Sequence, residues 1–96
     1  MIVKKYDGIK LDPKGRLFLS KGDQAALGEK KVIVVKKGNE LLFFSEEEWN
    51  RIVQEKLTGL QGAELRRQQR YLGGSAFPEE IEQEGGVVIP YSLRQK

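Results

Sequence analysis

The chain has neither cysteine nor histidine among its 96 residues. Without cysteine there is no disulfide framework and no thiolate metal site, a composition that suits a reducing cytoplasm. With histidine missing as well, the common nucleophile–base pairs of enzymes are not available. Neither a Walker phosphate loop nor a glycine-rich dinucleotide fingerprint occurs. The acidic group Glu79, Glu80, Glu82 and Glu84 lacks the spacing of a calcium loop and reads as a solvated surface. The opening residues, MIVKKYDG, hold no long apolar stretch, so neither a signal peptide nor a membrane span is expected. Catalysis is therefore the weakest reading, and no cofactor, metal or small-molecule substrate is expected.

What is present bounds the answer further. A hydrophobic content of 39% suffices for one core, in a single domain or two very small repeats that share it. A chain of this size is only marginally stable alone, which makes help from a partner subunit plausible. The net charge of +3 is a weak signal, but its distribution is not even. Met1 to Ser45 carries ten Lys or Arg against five Asp or Glu, whereas Glu46 to Lys96 carries seven against nine. A polyanion would be met at the N-terminal half.

The stretch KLDPKGRLFLS, Lys10 to Ser20, has the chemistry of a tight turn. Asp12 can hydrogen-bond the turn backbone, Pro13 holds φ at the second position, and Gly15 stands where a side chain would clash. Ile9 to Leu11 and Arg16 to Leu19 are the expected flanking strands. Ser20 then caps a short helix, with Asp23 three residues on and Gly28 as its stop. Val32 to Val35 and Leu41 to Phe44 read as two strands joined at Gly38-Asn39. Both runs are apolar without alternation, which predicts burial of both strand faces.

Ser45 and Glu48 form the signature of a capping box, and Glu46 and Glu47 suit the positive end of the helix that follows. Trp49, Ile52, Val53, Leu57 and Leu60 share one face of that helix. A second helix is expected from Ala63 to Leu72, ended by Gly73-Gly74, with Arg66, Arg67 and Arg70 on its surface. Beyond it EQEGGVVIPYSLRQ aligns without a gap on DPKGRLFLSKGDQA, at an offset of 70 residues, placing Glu82 on Asp12, Gly85 on Gly15 and Gly86 on Arg16. No second pair of β-rich runs follows.

This ordered set, LDPKGRLFLS, a short helix ending in LG, a hairpin, EEEW, RRQQR, GGSA and a second EGGVVIP with LR, resembles the MraZ family over almost the whole chain. The resemblance implies an α+β fold, an AbrB/MraZ-like swapped-hairpin β-barrel of short strands with a pair of linking helices. It divides the chain into a first AbrB-like repeat (1–45), a helical linker (46–74) and a partial second repeat (75–96). It also implies a bacterial transcriptional regulator, a repressor in our reading, that forms a homo-oligomeric ring on tandem promoter repeats of a division and cell-wall gene cluster. The expected location is cytoplasmic and nucleoid-associated. Carried over by position, Asp12 and Gly15 order the turn while Lys14 and Arg16 reach double-stranded DNA, with Lys10 and Lys21 adding to the same basic tip. The second motif departs from the pattern, since Glu82-Gln83-Glu84-Gly85-Gly86 is acidic and lacks the arginine. Ser20, Asp23 and Gln24 replace the proline, apolar residue and arginine usual after the first motif.

Arginine can grip a guanine edge with two hydrogen bonds and lysine neutralises phosphate, so a basic tip suits DNA. One tip offers about three or four phosphate contacts where a strong binder makes about six to ten. Assembly of several tips on tandem sites is then part of the mechanism. Arg66, Arg67, Arg70 and Trp49 are candidates for that interface; the arginines read equally well as a solvated helix face. Trp49, Phe43, Phe44 and Tyr71 are expected in packing rather than in base stacking. The alternative is a degenerate AbrB-like oligomerisation or protein-interaction module, structural or antitoxin-like, that no longer reads DNA.

Overall fold

A computed structural model describes residues 1–94, so Gln95 and Lys96, at the end of the expected second repeat, lie outside the described residues. The elements are β1 (Ile2–Lys5), β2 (Arg16–Phe18), α1 (Lys21–Leu27), β3 (Lys31–Lys37), β4 (Glu40–Phe44), α2 (Glu46–Leu57), α3 (Gly62–Ser75), β5 (Ala76–Glu80) and β6 (Gly86–Val88). The chain is thus a mixture of helix and sheet. Four strands form an antiparallel sheet in the order β1-β4-β3-β5, and β2 pairs with β6 in a separate antiparallel ribbon.

Local chemistry accounts for most of these boundaries. The Ser45 hydroxyl accepts from the Glu48 backbone N–H at 3.1 Å, and the Glu48 carboxylate accepts from the Ser45 N–H at 3.2 Å, closing the capping box that starts α2. The Ser20 hydroxyl accepts from the Asp23 N–H at 3.1 Å and starts α1, which Gly28 ends at a φ of 74°. The absence of alternation in β3 and β4 follows from their position. On one face Val32, Val34, Leu41 and Phe43 pack with Leu17, Leu19, Val87 and Ile89 from around the ribbon. On the other, Val35, Leu42 and Phe44 meet Trp49 and Ile52 of α2 and Leu72 of α3. The sheet is the middle of three layers, with the turns, the ribbon and α1 on one side and α2 and α3 on the other.

Four sequence expectations change. Ile9 to Leu11 is not a strand, because β2 takes its partner from β6 instead of from the segment before its own turn. Gly73 and Gly74 do not end α3: both are helical with negative φ, the Ser75 hydroxyl donates to the Leu72 carbonyl, and the helix stops where Ala76 must extend to pair with β3. Leu60 falls outside α2, whose last turn closes at Thr58. Tyr71 is 68% exposed and is not core packing within the protomer: it borders the hollow between the sheet and the helices that Phe44 and Trp49 also line.

Candidate nucleic-acid interface

The turn at residues 12–16 is built around one carboxylate. Asp12 Oδ1 accepts the backbone N–H groups of Lys14 (3.0 Å) and Arg16 (2.8 Å), while Oδ2 accepts Arg16 Nε at 2.6 Å. The Gly15 N–H donates to the Asp12 carbonyl at 2.8 Å, with Gly15 at a φ of 79° that a side chain would strain. Three hydrogen bonds to the ionised carboxylate favour it. The Arg16 N–H, the largest influence, holds Asp12 below the usual carboxylate range, and Asp12 followed by Glu82 raises the Arg16 guanidinium further above its ordinary value.

The second turn, residues 82–86, repeats the backbone of the first. The Gly85 N–H donates to the Glu82 carbonyl and the Glu82 N–H to the Gly86 carbonyl, both at 2.8 Å, as Gly15 does to Asp12 and Asp12 to Arg16. The two turns also bond across the ribbon: the Leu19 N–H donates to the Gly85 carbonyl and the Ile89 N–H to the Gly15 carbonyl, both at 2.9 Å. Even the side chains behind them correspond. Gln24 Nε2 donates to the Leu19 carbonyl at 3.0 Å, and Arg94 Nε donates to the Ile89 carbonyl at 2.9 Å. Each of these long side chains fills the space over the glycine of the opposite turn, Gln24 over Gly85 and Arg94 over Gly15.

The basic residues named from sequence are distributed unequally. Lys10, Lys14 and Lys21 are exposed, with Lys14 at the first turn itself. Arg16 is half-buried, lies over the Phe18 ring at 5.1 Å, and reaches across the ribbon so that Nη1 donates to Glu82 Oε1 at 2.9 Å. One guanidinium is therefore shared between the carboxylates of both turns. Arg66, Arg67 and Arg70 project from α3, on the helical layer and away from the turns, and form no ion pair among the described residues. Trp49 is half-buried against Phe44, with ring centroids 5.4 Å apart.

Two contacts at this site do not follow from the motifs alone, although Glu82 itself stands out as the acid of the second turn. Glu82 touches the basic tip, and Arg94 stands behind it with its guanidinium also over the Tyr91 ring. Both were detectable in the offset of 70 residues, which sets Glu82 on Asp12 and Arg94 on Gln24. Among the described residues no helix is long and apolar enough to cross a membrane.

The family model described as "MraZ protein, putative antitoxin-like" matches residues 4–71. A protein of Lachnoclostridium phytofermentans named transcriptional regulator MraZ is 35% identical over 96 residues, an alignment spanning 99% of this chain and 67% of that protein. Proteins of the same name from Heliobacterium modesticaldum and Caldicellulosiruptor bescii are 36% and 31% identical, over 88% and 99% of this chain. The chain spans 60% and 66% of the lengths of those two relatives.

Proposed function

Because the chain belongs to the MraZ family, we propose that it is a DNA-binding transcriptional regulator, not an enzyme, that meets duplex DNA with the turn at residues 12–16. The observation that carries this reading is the exposed Lys14 beside a guanidinium held at the same turn, with Lys10 and Lys21 nearby in sequence. Asp12 and Gly15 give that turn its shape, so the cations are presented by a rigid backbone.

In the same proposal residues 1–45 and 75–96 are two AbrB-like repeats of a swapped-hairpin barrel, the second one partial, and residues 46–74 link them. The pairing of β2 with β6 supports it, since each turn donates a strand to the other. One tip carries too few cations for tight binding, so several protomers act together on tandem repeats in the promoter of a division and cell-wall gene cluster. The helical layer is the proposed contact between protomers: a hollow of about 330 Å³ lined by Val35, Leu42, Phe44, Trp49 and Ile52 opens there beside exposed Tyr71. Work on DNA places the protein in the cytoplasm at the nucleoid.

A second reading, an oligomerisation module that no longer reads DNA, is favoured by the acidic second turn beside the first. A titration separates the two. Duplex DNA carrying the tandem repeats is compared with scrambled duplex at several salt concentrations, for the native chain and for Lys14→Ala and Arg16→Ala. Regulation through the turn predicts loss of affinity in both variants and loss of preference in Arg16→Ala; native chain that binds neither duplex supports the second reading.

A further inference from the structure

The two turns are equivalent in backbone but not in charge. In the first, Asp12 has its own arginine four residues on, and Nε of that arginine completes the turn. In the second, the corresponding position is Gly86, so the Glu82 carboxylate has no arginine of its own. It pairs with Arg16 of the first turn at 2.9 Å. The glycine is also what leaves room for this contact. A Cβ at position 86 would lie 2.8 Å from Glu82 Oε1, 3.2 Å from the Phe18 ring and 3.6 Å from Arg16 Cδ. The φ of Gly86 is not positive, so only this occupancy, and not backbone strain, separates glycine from a larger residue there.

We propose that Glu82 is an affinity-determining residue: an intramolecular carboxylate that holds Arg16 where a DNA phosphate or base edge would take it, so that binding proceeds by exchange of Glu82 for DNA. A carboxylate and a phosphate oxygen compete for the same N–H donors of a guanidinium. Arg16 is a quarter exposed and Glu82 44% exposed, so the exchange needs only a rotation of the Glu82 side chain in water. An ion pair this exposed is weak, and a polyanion can displace it. While it lasts, one cation is neutralised and one negative charge stands at the tip. The second turn thereby lowers affinity and flattens its dependence on salt. This inference rests on the DNA-binding reading above.

The test uses the same tandem-repeat duplex, titrated at several salt concentrations with Glu82→Gln, Gly86→Ala, Arg16→Ala and the double variant Arg16→Ala/Glu82→Gln, each checked for folding by urea denaturation. Glu82→Gln is expected to bind about two to five times more tightly and to steepen the slope of log affinity against log salt by about 0.9, the change for one more counterion released. Gly86→Ala, which alters no charge, is expected to tighten binding in the same direction by displacing the carboxylate. In the Arg16→Ala background Glu82→Gln is expected to have little effect. If Arg16→Ala weakens binding while Glu82→Gln leaves affinity and slope unchanged, the exchange is wrong and the DNA reading stands. If the gain from Glu82→Gln persists without Arg16, long-range repulsion and not the pair is responsible, and the exchange is again wrong. If Arg16→Ala changes nothing, both fall.

Discussion

Leu17 lies directly opposite Val87 in the β2–β6 ribbon. The same two residues are partners in the 70-residue sequence offset, so a local two-fold relation passes between them and exchanges the two turns. The backbone bonds that join the turns across the ribbon, Leu19 to Gly85 and Ile89 to Gly15, form an equivalent pair because of it, whereas the Arg16–Glu82 side-chain bond has no counterpart. The relation also explains why an acidic turn comes to lie near a basic one: it sets the two turns at opposite ends of a ribbon only three residue pairs long, a span that the Arg16 side chain crosses to reach Glu82.

The core at this axis should be the most sensitive place in the chain. Val87 is fully buried and Leu17 6% exposed, whereas Phe18 and Val88 on the other face of the ribbon are 46% and 38% exposed. Leu17→Ala is expected to lower unfolding stability by about 2–5 kcal/mol in urea denaturation, and Val88→Ala by under about 1 kcal/mol.

Gly85 is constrained twice over. Its φ is +92°, and a Cβ there would stand 2.7 Å from the Leu19 carbonyl oxygen. Gly85→Ala should therefore cost about 1–3 kcal/mol. Gly8→Ala, where a Cβ meets nothing within 4 Å, should change the urea midpoint little.

The start of α2 depends on a reciprocal pair of hydrogen bonds, so Ser45→Ala should cost about 1 kcal/mol, read as a lower urea midpoint with an unchanged m value. Loss of the cap frees an N–H of the first turn without opening a cavity of any size.

Acid should destabilise the fold through two depressed carboxyl groups. The N-terminal ammonium, 2.7 Å away, is the main cause that lowers Glu48, and the Arg16 N–H the main cause that lowers Asp12. A depressed folded value stabilises the fold above the unfolded value and ceases to do so as pH falls through the folded one, so the loss begins below about pH 4. Glu79, raised by burial, has the opposite sign: its contribution is present at low pH and fades as pH rises through its folded value. Thermal midpoints followed from pH 6 down to pH 2 should show Asp12→Asn with a shallower acid decline than the native chain.

Local elements were legible in the residues. Ser20 with Asp23, Gly28, the Gly38-Asn39 turn and the Ser45–Glu48 box mark ends that the backbone obeys, because hydrogen bonds a few residues apart satisfy themselves whatever the rest of the chain does. The apolar runs of β3 and β4 announced a sheet covered on both faces for a similar reason. Local signals misled at Ile9 to Leu11 and at Gly73-Gly74, where pairing partners far along the chain override the preference of the segment.

The sequence by itself determined the turns, the caps, the basic N-terminal half and the repeat that carries the family likeness, all of which depend on residue type and short spacing. Only the tertiary structure decided which strand pairs with which. That choice brings Glu82 within 2.9 Å of Arg16, a contact between residues 66 positions apart that comes from burying Leu17 and Val87 in one shared core.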